Sequence, residues 1–477
     1  MGRTRFAPIF LLIATSSTPL AAQVPTDAVA RVDRIFDRWR SAETPGCAVG
    51  VSREGRMVLA RAYGMADLEH DVRNTPETIF EAGSVSKQFT AAAIIMLALD
   101  GKLSLDDEVR KYVPELPDYG KRLTIRHMMN HTSGLRDWGS VAAIAGWGRG
   151  SRVHTHAHVL DIVSRQRALN FEPGHQYSYS NTGYNLQAVI VERVSGMSFA
   201  DFTRQRIFEP VGMKNTQWRD DYTRIVKRRA TAYSTRGSGF ALSMPFENVH
   251  GNGGLLTTVE DLLTWTENLE TGRVGGPRFL QLMHEQGVLN NGERISYASG
   301  LQIGTFNGVP QVSHTGSTAG YRAFLARYPQ QRLGVALLCN VGAVNPGNVG
   351  QQVAAAFLPG AARVTTAARP TADSPASEDS PARGARPAIT LDPAKLNEYA
   401  GEYYSPDAEV TYHVVIEDGA LFFRRRPDFR MALQPTDDDT FETNIGAIRF
   451  LRDGDGRVTE FSVRQGRVYD LRFSRVQ

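Results

Sequence analysis

Between Pro359 and about Pro387 the chain is dominated by Ala, Pro, Ser, Thr and Arg, with almost no large apolar side chain. Such a stretch cannot bury enough surface to offset the entropy of ordering it, so residues 359–387 read as a linker. The linker divides the 477 residues into two units that must each build a core. The first, 26–358, is long enough for a large domain; the second, 391–477, is a small one. Composition is that of an ordinary soluble globular protein.

Net charge is only +4, which predicts no nucleic-acid footprint. The densest basic cluster, Arg424-Arg425-Arg426, reads as a solvated strand end, with an anionic envelope partner as the alternative. At the N-terminus, Arg3 and Arg5 precede the apolar stretch Phe6 to Ala14, then Pro19-Leu20-Ala21-Ala22 before Gln23. Residues 1–22 therefore read as an export signal, its apolar part too short to span a bilayer comfortably. A retained anchor is the alternative. The expected location is periplasmic or secreted, with no membrane span after signal cleavage. Export permits a disulfide between Cys47 and Cys339, the only cysteines. Two separate buried thiols fit the apolar runs around them equally well.

In 26–358 a predicted helix (27–42) leads to strands at 46–52 and 57–63, joined by a turn at Glu54-Gly55. The middle is largely helical. Further strands are expected at 321–328 and 333–339, with Pro329-Gln330-Gln331 as their turn. Strands at both ends of one unit, with helices between, predict a sheet assembled from the two termini. In 391–477, Val410, Tyr412, Val414 and Ile416 alternate before the turn signal Asp418-Gly419. Tyr469, Leu471 and Phe473 alternate after Gln465-Gly466. This tail reads as a small antiparallel β-barrel, and no catalytic constellation is visible in it.

Three short motifs carry the chemistry: Ser84-Val85-Ser86-Lys87, Tyr179-Ser180-Asn181 and His314-Thr315-Gly316. A pattern such as S-x-x-K arises roughly once by chance in a chain this long, so each is weak alone. Ser84 opens a broadly apolar helix running to Leu97, and a spacing of three puts Lys87 on its face. A serine needs a base, and lysine serves as one only when burial and neighbouring charges lower its pKa. The helix N-terminus also aims N–H groups where an oxyanion would form. Ser86 is a competing hydroxyl, but it lacks a lysine three residues on. Tyr179 and Asn181 fall in a loop expected at 177–185, before a helix at 186–194. A phenol near an ammonium should be more acidic than usual, so Tyr179 could relay the Ser84 proton to the leaving group. The Asn181 amide could bind Lys87 and a substrate carbonyl together. His314 would stand as an electropositive group steadying a carboxylate or the Tyr179 proton. Gly316 would let a substrate backbone approach the strand, and the Ser317 N–H could be a second oxyanion donor.

In order and spacing these motifs resemble the serine β-lactamase and penicillin-binding-protein family. The likeness is to its branch of class C β-lactamases, DD-carboxypeptidases, D-aminopeptidases and esterases. Asn130-His131-Thr132-Ser133-Gly134-Leu135, Phe171-Glu172-Pro173-Gly174 and Gly253-Gly254-Leu255-Leu256-Thr257-Thr258 are similar as well. The resemblance implies an α+β fold, an antiparallel sheet flanked by helices with a helical subdomain. It implies Ser84 as the acylated nucleophile, Lys87 and Tyr179 as the base system, and Asn181, His314, Gly316 and Ser317 as substrate contacts. The amides of Ser84 and Ser317 would form the oxyanion hole, and the tail is similar to small barrels appended to such hydrolases. Class C β-lactamases carry lysine where this chain has His314, which favours cleavage of peptides or esters over antibiotic hydrolysis.

The expected activity is hydrolysis of an amide or ester, such as a D-amino-acid peptide or small ester, through acyl-Ser84. The substrate is a small molecule or peptide, and no cofactor is required. The alternatives are a class C-like β-lactamase, a penicillin- or muropeptide-binding module that acylates and stalls, and a metal-dependent hydrolase. The metal reading rests on His154-Thr155-His156-Ala157-His158, which lacks the aspartate an H-x-H-x-D-H site needs. These histidines are expected to be solvated, and His131 to be structural.

Overall fold

The computed structural model describes residues 26–148, 152–358, 391–426 and 428–476. Residues 1–22, read as an export signal, and 359–387, read as a linker, lie outside them. Strands β1 (Cys47–Arg53) and β2 (Arg56–Tyr63) form the expected hairpin. Glu54 and Gly55 both take positive φ, 52° and 73°, as in the tight turn that matches strand twist. The later strands are β3 (Gln302–Phe306), β4 (Val309–Thr318), β5 (Tyr321–Tyr328) and β6 (Leu333–Cys339). They complete an antiparallel sheet of order β3-β4-β5-β6-β1-β2. Its centre is thus the junction of the two ends of the unit. Cys47 stands directly opposite Cys339 across β1 and β6, and the two form a disulfide.

Six helices matter for the site: α1 (Thr26–Ile35), α2 (Lys87–Leu99), α3 (Trp138–Ile144), α4 (Asn181–Ser195), α5 (Val259–Thr271) and α6 (Pro346–Phe357). Helix α1 is shorter than expected, a 3-10 turn at Asp37–Trp39 following it. Strand alternation assigns the sheet's two faces. Val49, Val51, Val335 and Leu337 pack with Val32 and Val353 of α1 and α6. Ala48, Leu325, Ala336 and Leu338 face the larger core that holds α2 and α5. Because both faces are covered, β5 and β6 are buried along their whole lengths, and β6 reads as a continuous apolar run.

Nine further strands form the C-terminal unit: β7 (Gly401–Ser405), β8 (Val410–Glu417), β9 (Ala420–Arg424), β10 (Arg430–Ala432), β11 (Gln434–Asp437), β12 (Thr440–Thr443), β13 (Gly446–Arg452), β14 (Val458–Gln465) and β15 (Val468–Arg475). Their antiparallel order, β10-β9-β8-β7-β15-β14-β13-β12-β11, makes a nearly closed barrel. Its centre is aromatic, with Phe461 stacked on Phe473 at 4.5 Å between ring centres.

The barrel is seated on the N-terminal unit through buried polar contacts. Arg136 and Asp407, 4% and 6% exposed, pair at 2.7 Å, and Arg167 reaches the other Asp407 oxygen at 2.7 Å. Tyr412 donates to the Ile144 carbonyl at 2.7 Å. Arg425 is half-buried here, stacked on Phe429 at 4.1 Å and donating to Ile144 O. The middle of the three-arginine run is therefore an inter-unit contact and not a solvated strand end. Among the described residues no helix is long and apolar enough to cross a membrane.

Candidate active site

Ser84 lies in a 3-10 turn, Gly83–Ser86, from which α2 starts at Lys87. The turn is clamped on both sides. Ala82 N donates to Leu255 O at 2.8 Å, and Glu81 pairs with Arg219 through two bonds of 2.9 and 3.0 Å. Gly83 takes φ +51°, and a Cβ there would lie 2.6 Å from Ser317 N. Ser84 is half-buried whereas Ser86 is fully buried. Ser86 Oγ donates to Gly83 O at 2.6 Å and accepts from Leu255 N at 3.2 Å. The competing hydroxyl is thus part of the turn's own framework.

Lys87 is 0% exposed. An ammonium or amine so placed needs acceptors, and it has them. Nζ lies 2.9 Å from Asn181 Oδ1, 2.7 Å from Asn252 O and 3.2 Å from Ser84 Oγ. It also stands 4.8 Å from the centre of the Tyr179 ring. The two carbonyl oxygens accept two Nζ–H bonds, which leaves a third tetrahedral position of Nζ directed at Ser84 Oγ. The arrangement suits removal of a proton from the serine.

Tyr179 precedes α4, and Asn181 is the first residue of that helix. The helix begins five residues earlier than the sequence predicts because Ser180, in extended conformation, serves as its N-cap residue. Asn181 N donates to Asp137 Oδ2 at 2.8 Å while its side chain holds Lys87. The Tyr179 ring packs on His131 at 4.1 Å. Its hydroxyl is buried and makes no well-formed hydrogen bond, with Ser84 its nearest polar influence. Burial raises its pKa strongly, and the nearby Ser84 and Arg467 offset only part of that rise. The expected acidic phenol is therefore not found: desolvation outweighs the neighbouring positive charge. Tyr179 is suited to donate a proton, not to wait as a phenolate.

Residues 314–318 of β4 extend past the end of β3, which pairs only with 309–313. This leaves one edge beside the Ser84 turn. Ser317 is exposed there. A Cβ on Gly316 would lie 2.0 Å from Ala82 O. The glycine is thus required by the chain's own approach, before any substrate is considered. His314 is buried, with Nδ1 2.6 Å from Thr315 O and Nε2 3.0 Å from the Tyr297 hydroxyl. A carbonyl only accepts, so Nδ1 carries the proton and Nε2 accepts from Tyr297. Burial, then the Lys87 charge, lower its pKa to about 4. His314 is neutral near pH 7, and the electropositive role expected of it is absent.

Three contributors were not visible in the sequence. Asp137, the N-cap of α3, accepts from Asn181. Asn252 supplies a backbone oxygen to Lys87. Arg467, between β14 and β15, has its guanidinium carbon 4.9 Å from the Tyr179 ring centre. His131 is buried and accepts from Ser180 N at 3.2 Å through Nδ1, a structural role as expected. Of the histidines at 154–158, expected to be solvated, His154 is fully buried and His156 and His158 are half-buried. His154 is buried against Trp138, His156 bonds His250 O at 3.0 Å, and His158 caps Thr155 at 3.1 Å.

Comparison with known proteins adds the lineage. The profile of the Beta-lactamase family matches residues 32–357, more than half of the chain. The chain belongs to the beta-lactamase family. A second profile, a domain of unknown function (DUF3471), matches 385–475. Penicillin-binding protein 4* of Bacillus subtilis is 31% identical over 309 residues, covering 60% of this chain and 66% of the relative. A D-aminopeptidase of Brucella anthropi is 27% identical over 296 residues, covering 62% and 56%. The chain thus spans between half and two thirds of these relatives. An octameric penicillin-binding protein homologue from Pyrococcus abyssi superposes with a TM-score of 0.60 at 22% identity, covering 93% of this chain and 97% of its own. A D-amino acid amidase from Ochrobactrum anthropi SV3 gives 0.59 at 23%, covering 69% and 98%. These two establish the shared fold.

Proposed function

We propose that this beta-lactamase family member is an exported serine hydrolase that cleaves an amide or ester bond through acyl-Ser84. The substrate is a D-amino-acid peptide, a related amide or a small ester. The observation that carries the reading is the placement of Lys87 Nζ. Two carbonyl oxygens hold it, and Ser84 Oγ lies 3.2 Å away. The names of the relatives, a penicillin-binding protein and a D-aminopeptidase, support the substrate class. The Cys47–Cys339 disulfide supports an oxidising compartment.

In this mechanism Lys87 accepts the Ser84 proton as Oγ attacks the carbonyl carbon. The N–H groups of Ser84 and Ser317 stabilise the oxyanion at the open edge of β4. Tyr179 then protonates the leaving group as the bond breaks, and the Lys87 proton restores the phenol. Water repeats the attack on the acyl-serine with the same groups reversed.

The test is one substrate panel on wild type and Ser84→Ala: nitrocefin, a D-Ala-D-Ala peptide, a D-aminoacyl anilide and a p-nitrophenyl ester. Mass spectrometry of protein treated with fluorescent penicillin should place the adduct on Ser84. Substantial turnover by Ser84→Ala would sink the proposal.

A further inference from the structure

The barrel completes the active site. Arg467 stands in the β14–β15 turn, nearly 290 positions beyond Tyr179 in the chain. Its placement is built from the backbone outward. Arg467 O accepts from Asn170 Nδ2 at 2.9 Å and from Asp137 N at 3.3 Å, and Tyr469 N donates to Asn170 Oδ1 at 3.0 Å. The turn is thus bound to the same Asp137 that holds Asn181. Its side chain reaches on to the Tyr179 ring, 4.9 Å from the ring centre.

The guanidinium is under-used where it sits. Its ion-pair partner is Asp137, at 3.7 Å, and that Asp137 oxygen already accepts from Asn181 N at 2.8 Å. Its side chain remains 23% exposed, so donors still face solvent. A guanidinium carries five N–H groups in a fork that matches a carboxylate. Meanwhile the residue expected to supply positive charge, His314, is buried and bonded at both ring nitrogens.

We infer that Arg467 binds a carboxylate on the leaving-group side of the substrate. The assignment rests on the acyl-Ser84 reading, in which Tyr179 protonates the leaving group. Whatever lies beyond the scissile atom must then lie near Tyr179. Of the two cations against its ring among the described residues, at 4.8 and 4.9 Å from the ring centre, Lys87 is held by Asn181 and Asn252 and serves Ser84, which leaves Arg467. The substrate class is a peptide cleaved next to its free C-terminal carboxylate. The C-terminal barrel is accordingly a specificity element of the hydrolase.

The experiment compares an acetylated D-Ala-D-Ala peptide as free acid and as C-terminal amide, in wild type, Arg467→Ala and Arg467→Lys. The readout is the ratio of kcat/KM for acid to kcat/KM for amide in one preparation, so loss of folded protein cancels. A charge-assisted hydrogen bond is worth enough that Arg467→Ala should lower this ratio ~10- to 100-fold, mostly through KM. Arg467→Lys should retain part of it. A ratio unchanged by Arg467→Ala, or a wild type that prefers the amide, overturns the assignment. So does a wild type that cleaves the p-nitrophenyl ester through Ser84 but neither peptide, and there the acyl-serine reading survives. Turnover retained in Ser84→Ala overturns that reading instead, and this assignment with it.

Discussion

Asn185 donates from Nδ2 to Asn252 Oδ1 at 2.7 Å and to His250 O at 2.8 Å, while its Oδ1 accepts from Trp138 Nε1 at 2.8 Å. One buried side chain thus ties helix α4 to the loop whose Asn252 carbonyl holds Lys87. Asn185→Ala leaves several buried groups unpaired, and each costs ~1–3 kcal/mol. The expected result is a lower unfolding midpoint together with a ~10- to 100-fold fall in kcat. Asn185→Asp, which turns donors into acceptors facing two oxygens, should be no better. Denaturation and steady-state kinetics check both.

The two serines of the nucleophile turn should separate cleanly. Removing a serine nucleophile that acts with its base costs on the order of 10⁴-fold or more in kcat, so Ser84→Ala should lose activity and keep its stability. Ser86→Ala removes two buried hydrogen bonds and should lose about 1–3 kcal/mol of stability. Its Ser84 adduct with fluorescent penicillin should still form.

Gly316→Ala places a methyl carbon 2.0 Å from Ala82 O. Backbone cannot yield as a flexible side chain does, so the strand or the nucleophile turn must shift. Overpacking of this kind costs ~1–3 kcal/mol. A misplaced Ser84 should lower kcat by ~100-fold. A melting curve and the rate of Ser84 acylation measure the two effects.

Acid should destabilise the protein in part through His314. Burial, then the Lys87 charge, hold its pKa at about 4 in the folded chain, below the ordinary histidine value of about 6.5. Above pH 6.5 neither state is protonated there and the group has no effect on stability. As pH falls toward 4 the unfolded chain takes up the proton first, so stability falls, by up to roughly 3 kcal/mol. His131 and His250, also held well below their usual range by burial, act in the same direction. His314→Gln should flatten the urea midpoint between pH 6.5 and 4 relative to wild type.

The disulfide closes the sheet where the two ends of the unit meet. Its loop spans 292 positions, and removing a native disulfide typically costs ~2–5 kcal/mol. Cys47→Ala with Cys339→Ala should lower the melting midpoint and leave kcat little changed, because the pair lies outside the Ser84 site. Reduction of unfolded wild type before refolding should reproduce the loss.

Strand positions were legible because alternation and turn residues are local: 321–328 and 333–339 match the structure residue for residue. The start of α4 was missed because a Tyr-Ser-Asn segment carries no apolar period until Leu186. Buried polarity was harder still. Whether His154 is solvated, or Tyr179 more acidic, depends on what desolvates each group, and those neighbours lie far away in sequence.

By itself the sequence determined the antiparallel sheet drawn from both ends, the antiparallel C-terminal strands, and the Ser84 turn with Lys87 at the start of the helix that follows. These follow from short-range periodicity and spacing, which the chain carries explicitly. Only the tertiary structure decided that Cys47 meets Cys339, that burial lowers the His314 pKa, that burial raises the Tyr179 pKa, and that Arg467 of the barrel reaches the Tyr179 ring. Each depends on burial and on contacts between segments hundreds of residues apart, and electrostatics there is governed by the surroundings of a group more than by its type.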